Sequence, residues 1–188
     1  MYKQDMFPSR FFIIEDVVKH EELMKVLNTI KKDTDNLAAV SSLGGPTYKT
    51  NYYLKNAQSE EILKPIIKQI DKYLIAEGNI SIEEVASSWY AEYGEYDFHQ
   101  PHVHSGECCT EFPNSFRYSG IMSLSNFGET TFINPNSSSF SGPILTIPSA
   151  YNRVILFPSN IYHYVLPHGL RDRTRAVFSF NCILKMDT

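Results

Sequence analysis

Cysteine is scarce in this chain: 188 residues carry three, Cys108, Cys109 and Cys182. An odd count with two adjacent members does not build a disulfide framework. No cysteine pair has the two-residue spacing of a structural zinc site either. Plain thiols in a reducing, cytoplasmic compartment are expected. Positive charge is not in excess, since 17 Lys and Arg against 21 Asp and Glu leave a net charge of −4. With no basic stripe for a phosphate backbone, nucleic acid is not the expected partner. No apolar run approaches the roughly eighteen residues of a membrane span. The start, Met1 to Asp5, lacks the apolar stretch of a secretory signal. Internal repeats and linkers are missing too, so one domain is expected over 1–188.

Aromatic residues are plentiful by contrast, with twelve Phe and twelve Tyr. Together with many Ser, Thr and Asn they favour a β-rich fold. Residues 1–79 read as a supporting segment: a short strand at 11–14, then a helix from an N-cap at Asp16 to Lys32. A second helix is predicted from Ser59 to Glu77, with Pro65 in its first turn or kinking it, and Gly78 as its stop. Between them, Gly44-Gly45-Pro46 marks a loop. From residue 80 the pattern changes to short apolar and aromatic runs between turn residues. Strands are predicted at 85–93, 98–104, 117–125, 130–133, 144–147, 153–157, 161–166 and 175–184. The whole reads as α+β, mainly β, with a sandwich or barrel core at 80–188 and the N-terminal helices bracing one face. Tyr2, Phe7, Phe11 and Phe12 would bury an interface or cap that core.

Three of the six histidines fall within six residues, His99, His102 and His104. On an extended strand, residues two apart share a face, so His102 and His104 can serve one centre. His163 lies in a second extended segment, Tyr162 to Val165, and would close a set of three ligands around a metal. His99 reads as a neighbour rather than a ligand, His168 as a turn residue and His20 as a helix-surface residue. The run Arg175 to Asn181 alternates cleanly: Phe178 and Phe180 suit packing against helices, while Arg175, Val177, Ser179 and Asn181 share the other face. An arginine on an inward face calls for an anion, and a carboxylate is its natural bidentate partner. Ser179 and Asn181 join Arg175 as candidate co-substrate residues, with Arg173 as the alternative arginine.

Several segments in this order carry a family resemblance: Ser88-Trp-Tyr-Ala-Glu-Tyr-Gly94, then Pro101-His102-Val-His104, Tyr118 to Leu124, Gly128-Glu-Thr-Thr-Phe132, Val154 through His163 to Pro167, and Arg175 to Asn181. Over about residues 87–183 the chain resembles the iron(II)- and 2-oxoglutarate-dependent oxygenases, in particular a bacterial and phage branch near the prolyl-hydroxylase type. The resemblance implies a double-stranded β-helix (jelly-roll) core with iron(II) on His102, His104 and His163. It further implies chelation of that iron by 2-oxoglutarate, whose far carboxylate would rest on Arg175. The activity implied is hydroxylation by O2, coupled to decarboxylation of 2-oxoglutarate to succinate, on an unknown small-molecule or peptidyl substrate. One departure stands out. The family pattern is His-x-Asp or His-x-Glu, so His104 occupies the place of a carboxylate, and Asp97 or Glu107 could supply the missing acid from a loop. The segment 105–116, with Cys108 and Cys109, is a candidate substrate loop or lid, or a plain surface insertion.

Two other readings compete. His102-x-His104-Ser-Gly-Glu107 approximates the histidine and glutamate spacing of a cupin-like metal enzyme, which would not use 2-oxoglutarate and would leave Arg175 without a purpose. A non-enzymatic β-sandwich binding module would place the histidines and Arg175 outward, which a one-residue slip in strand phase would do.

Overall fold

The computed structural model describes residues 2–6, 9–32, 38–40, 47–52, 57–104, 115–134 and 144–186. The elements follow in the order β1 (Tyr2–Met6), β2 (Ser9–Ile14), α1 (His20–Lys32), β3 (Ala38–Val40), β4 (Thr47–Tyr52), α2 (Ala57–Gly78), β5 (Ile80–Tyr93) and β6 (His99–His102). Then come β7 (Ser115–Ser123), β8 (Glu129–Ile133), β9 (Ile144–Pro148), β10 (Arg153–Pro158), β11 (His163–Val165) and β12 (Arg175–Met186). They form two antiparallel sheets, an eight-stranded one in the order β1-β2-β10-β7-β12-β5-β4-β3 and a four-stranded one in the order β6-β11-β8-β9.

Strict alternation along the strands splits the apolar residues into two buried clusters. Phe12, Ile14, Val154, Leu156, Phe178, Phe180 and Leu184 lie in one cluster with Leu23 and Val26 of α1 and Ile66, Ile70 and Leu74 of α2. Their chain neighbours Phe11, Ile13, Ile155, Phe157 and Val177 join Phe132 and Val165 of the smaller sheet in the other. Each such side chain contributes about 1.5–3 kcal/mol of burial free energy, which pins the phase of every strand. Phe11 and Phe12 are both core residues rather than interface residues; Phe11 stacks at 6.1 Å on Phe157 and edge-on at 5.1 Å on Phe132.

The expected strands from 85 to 184 are present with small changes of boundary, and β1, β3 and β4 are additional. Asp16 does not cap α1: it sits in a left-handed turn (φ 48°) and the helix starts at His20. Acidic Glu21 and Glu22 occupy the first turn of α1, where the helix dipole favours them. Pro65 lies inside α2 rather than in its first turn, and the left-handed residue after that helix is Asn79 (φ 49°). Neither helix is long and apolar enough to cross a membrane.

Candidate metal centre

The smaller sheet brings the histidines together. β11 lies between β6 and β8, with His163 opposite His102 on one side and Phe132 on the other. His104 follows β6, its amide hydrogen-bonded to the Ser159 carbonyl at 2.9 Å. The ligand atoms of His102, His104 and His163 all lie within 4.8 Å of one another. Ring centroids are 4.2 Å apart for His102 and His163, 4.9 Å for His102 and His104, and 5.1 Å for His104 and His163.

Tautomers follow from the hydrogen bonds. His163 Nδ1 donates to the Ile161 carbonyl at 3.1 Å and His102 Nδ1 to the Gln100 carbonyl at 2.8 Å, because a carbonyl can only accept. Nε2 therefore carries the lone pair in both rings, the arrangement a metal-binding imidazole needs. Burial holds the His163 pKa well below its usual value, and the positive potential of His102 and His104 adds to the effect. The folded protein thus keeps His163 neutral where the unfolded chain takes up a proton. Stability of the metal-free protein is expected to fall as pH drops below about 6.5, the unfolded value, toward the lower folded one. Thermal unfolding from pH 7.5 to 5 checks this, and His163→Gln should flatten the profile.

His99 is the fourth member of the cluster. Its ring stacks on His102 (4.1 Å, 18°), and its Nδ1 lies 3.2 Å from the Tyr93 hydroxyl. His168 closes a turn: Leu170 N–H donates to its Nδ1, and its Nε2 donates to the Tyr93 carbonyl at 3.2 Å. His20 begins α1, exposed, beside Tyr151. Asp97 is not in the cluster, because its carboxylate accepts the Gly94 amide at 2.7 Å and holds the turn after β5. Glu107, Cys108, Cys109 and the rest of residues 105–114 lie outside the described residues.

Arg175 opens β12, paired with Tyr93 at the end of β5. It is 1% exposed, the largest fully buried side chain among the described residues. Its Nε donates to Ser149 Oγ at 3.1 Å and one terminal nitrogen to Thr130 Oγ1 at 3.0 Å, while the other, Nη1, is buried without a partner. The guanidinium lies 5.2 Å over the Tyr93 ring. Burial lowers its pKa, partly offset by Tyr93 and Glu129, but guanidinium remains a cation. A fully buried cation with an unmet donor is a poor structural element and a ready carboxylate site. Tyr93 itself was not singled out by sequence reasoning; only its pairing with Arg175 across the sheet reveals it.

Gly128 makes room for the arginine. Its φ of +79° is left-handed, and a Cβ there would fall 2.5 Å from Arg175 Cδ. Gly128→Ala is expected to lower stability by at least about 1 kcal/mol from the left-handed strain alone, and to push Arg175 from its place. Chemical denaturation with 2-oxoglutarate binding measured in parallel checks both.

One cleft joins the parts. It encloses about 400 Å3 of empty space, its open mouth included, and is lined by His99, His102, His104 and His163 together with Tyr93, Trp89, Thr130, Ser179 and Arg175. Ser179 therefore faces the cleft. Asn181 is buried outside its lining, with its side chain donating to Ser87 Oγ and accepting from Ser119 Oγ. Arg173 is exposed and lies 5.8 Å over the Phe127 ring, away from the cleft.

No family model and no curated protein matches the sequence. Solved structures do. A prolyl-4-hydroxylase from Pseudomonas putida superposes with a TM-score of 0.60 at 12% identity, over 94% of this chain and 93% of that one. An oxidoreductase of the 2OG-Fe(II) oxygenase family from Burkholderia pseudomallei gives 0.63 at 14%, over 92% and 85%. The non-heme alpha-ketoglutarate-dependent epimerase SnoN of nogalamycin biosynthesis gives 0.66 at 12%, over 95% and 78%. The chain has the jelly-roll fold of these oxygenases, mainly β, with two helices among the described residues. Since both a hydroxylase and an epimerase share it, the fold leaves the reaction to the site.

Proposed function

We propose that this chain is an iron(II)- and 2-oxoglutarate-dependent oxygenase acting as a hydroxylase, a single catalytic domain over 1–188 whose N-terminal helices brace the larger sheet. The observation that carries the reading is one cleft holding three imidazoles within 4.8 Å of one another and a buried arginine with an unmet donor. The donor set fits the group: neutral nitrogen ligands suit iron(II), and Nη1 of Arg175 fits a carboxylate oxygen.

Iron(II) with 2-oxoglutarate and O2 would supply the oxidising chemistry, releasing succinate and carbon dioxide. The protein's own contribution is positional. His102, His104 and His163 would hold the metal, with His102 and His163 oriented by the Gln100 and Ile161 carbonyls. Arg175 would take the distal carboxylate, assisted by Thr130 and Ser149, which already orient its other donors. Ser179, on the cleft wall, adds a hydroxyl to the co-substrate side. Trp89, Ile121, Val165 and Val177 line the cleft with apolar surface and exclude water. The scarcity of cysteine suits a reducing, cytoplasmic setting, and the substrate would be a small molecule or a peptidyl group.

Anaerobic titration with iron(II) and then 2-oxoglutarate tests the reading through the weak visible charge-transfer band of the chelate. The band is expected at one equivalent of each. Iron binding without it favours a cupin-like metal enzyme, and no iron binding ends the metal reading.

A further inference from the structure

Asn181 stands two residues beyond Ser179 on β12, and its hydrogen bonds lead toward the metal ligands from behind. Ser119, Asn181 and Ser87 lie opposite one another on β7, β12 and β5, a polar row in register across the large sheet. Ser119 Oγ donates to Asn181 Oδ1 at 2.8 Å, and Asn181 Nδ2 donates to Ser87 Oγ at 2.9 Å. The single Ser119 proton is committed to that carbonyl, so the 3.0 Å contact between Ser119 and Ser159 has the Ser159 hydroxyl as donor. The row therefore reaches out of the sheet to Ser159, in the turn between β10 and β11. Ser119, Ser159 and Asn181 are all buried.

That turn serves two of the three histidines. The Ser159 carbonyl accepts the His104 amide at 2.9 Å, and the Ile161 carbonyl accepts from His163 Nδ1 at 3.1 Å. The turn closes on itself through the Ile161 amide, which donates to the Pro158 carbonyl at 3.0 Å. His104 comes to the centre from beyond β6 and His163 from β11, so a shift of this turn changes how the two rings stand to each other. A buried, hydrogen-bonded chain of side chains rigidifies the elements it joins. Stability alone does not call for one, because apolar side chains of the same shape would be nearly neutral in its place.

We propose that Ser159, Ser119 and Asn181 are positioning residues for the metal centre, a buried strut that fixes the turn after β10 to the large sheet and so sets His104 against His163. This rests on the metal-centre reading above and adds to it residues that act on the metal only through its ligands.

The test uses the full chain and cobalt(II), whose visible d–d bands report ligand geometry without turnover and whose affinity is read in competition with a chelator. Ser159 is the donor end of the chain, so Ser159→Ala strands no proton donor, and the metal-free variant should melt close to wild type. Its cobalt affinity is expected to fall by about fivefold, the worth of one neutral hydrogen bond, with a change in the d–d bands. Ser119→Ala breaks both links of the strut and should weaken cobalt binding at least as much; if it fails to fold, Ser159→Ala decides alone. Thr146→Val is the control, removing a hydroxyl from the Thr131–Thr146 pair elsewhere in the smaller sheet, and should leave affinity and spectrum unchanged. Unchanged cobalt affinity and spectrum in Ser159→Ala, whatever its melting temperature, overturn the inference and leave the metal centre standing. An equal loss in Thr146→Val overturns it too, since any loosening of the sheet would then do the same. Failure of the wild type to take up cobalt overturns the metal reading and this inference with it.

Discussion

Replacing His163 with alanine is expected to abolish iron binding while leaving the fold intact. His163 sits on the central strand of the three that meet at the cluster, and its ring is within about 5 Å of both partner histidines by centroid distance. Its removal leaves two imidazoles, the second of them, His104, beyond the end of β6 and so less firmly placed. Iron stoichiometry measured after desalting should fall from about one to near zero, with far-ultraviolet circular dichroism unchanged. Besides its contacts with the two partner histidines, the ring packs on Phe157 and Phe132, at 4.8 and 6.1 Å. Retention of stoichiometric iron in His163→Ala would mean that the metal, if any, sits elsewhere.

The second large effect is expected at Arg175. Arg175→Met, which keeps most of the volume, should weaken 2-oxoglutarate binding and leave iron content alone. Truncating one partner of a buried, hydrogen-bonded charge pair costs about 2–5 kcal/mol, which is roughly thirty-fold to several thousand-fold in affinity. Arg175→Lys keeps the charge but loses the planar fork, so an intermediate loss is expected. The metal-free Arg175→Met protein should melt no lower than wild type, because the native side chain buries a cation with one donor unmet. Isothermal titration with 2-oxoglutarate and calorimetric melting separate the two effects. An unchanged affinity would remove Arg175 from the co-substrate site, and Arg173→Ala serves as the exposed control.

Much of this arrangement was legible in the residues because burial leaves a period-two trace. From Arg175 to Phe180 successive side chains take opposite faces, and the structure sends Phe178 and Phe180 to the helix-side cluster and Val177 to the inter-sheet cluster. His163 is the same case, an inward residue between Tyr162, half exposed, and Tyr164. Strands β1 and β4 left no such trace: Tyr-Lys-Gln-Asp-Met and Thr-Tyr-Lys-Thr-Asn-Tyr are polar runs at and next to the sheet edges. Asp97 shows the opposite error, since closeness in sequence to three histidines suggested a ligand where a turn needed an acceptor. Tyr93 and Gly128 fall within segments that carry the resemblance, but their relation to Arg175 could not be read. Their roles depend on distance to Arg175, more than forty residues along the chain from either, and nothing local encodes it.

The position of β6 at the margin of the smaller sheet has a dynamic consequence. Among the described residues it pairs with β11 alone, and only over His99–His102. A four-residue outer strand is among the first segments to detach in local opening, so its amides should exchange with deuterium far sooner than those of β12, which is paired on both sides. A metal held by His102 and His163 would tie that marginal strand to its neighbour. Part of the binding free energy would then appear as slowed exchange over 99–104, a gain in local order that grows with free metal concentration. Such a strand would let the site form and release its ion without disturbing the large sheet behind it.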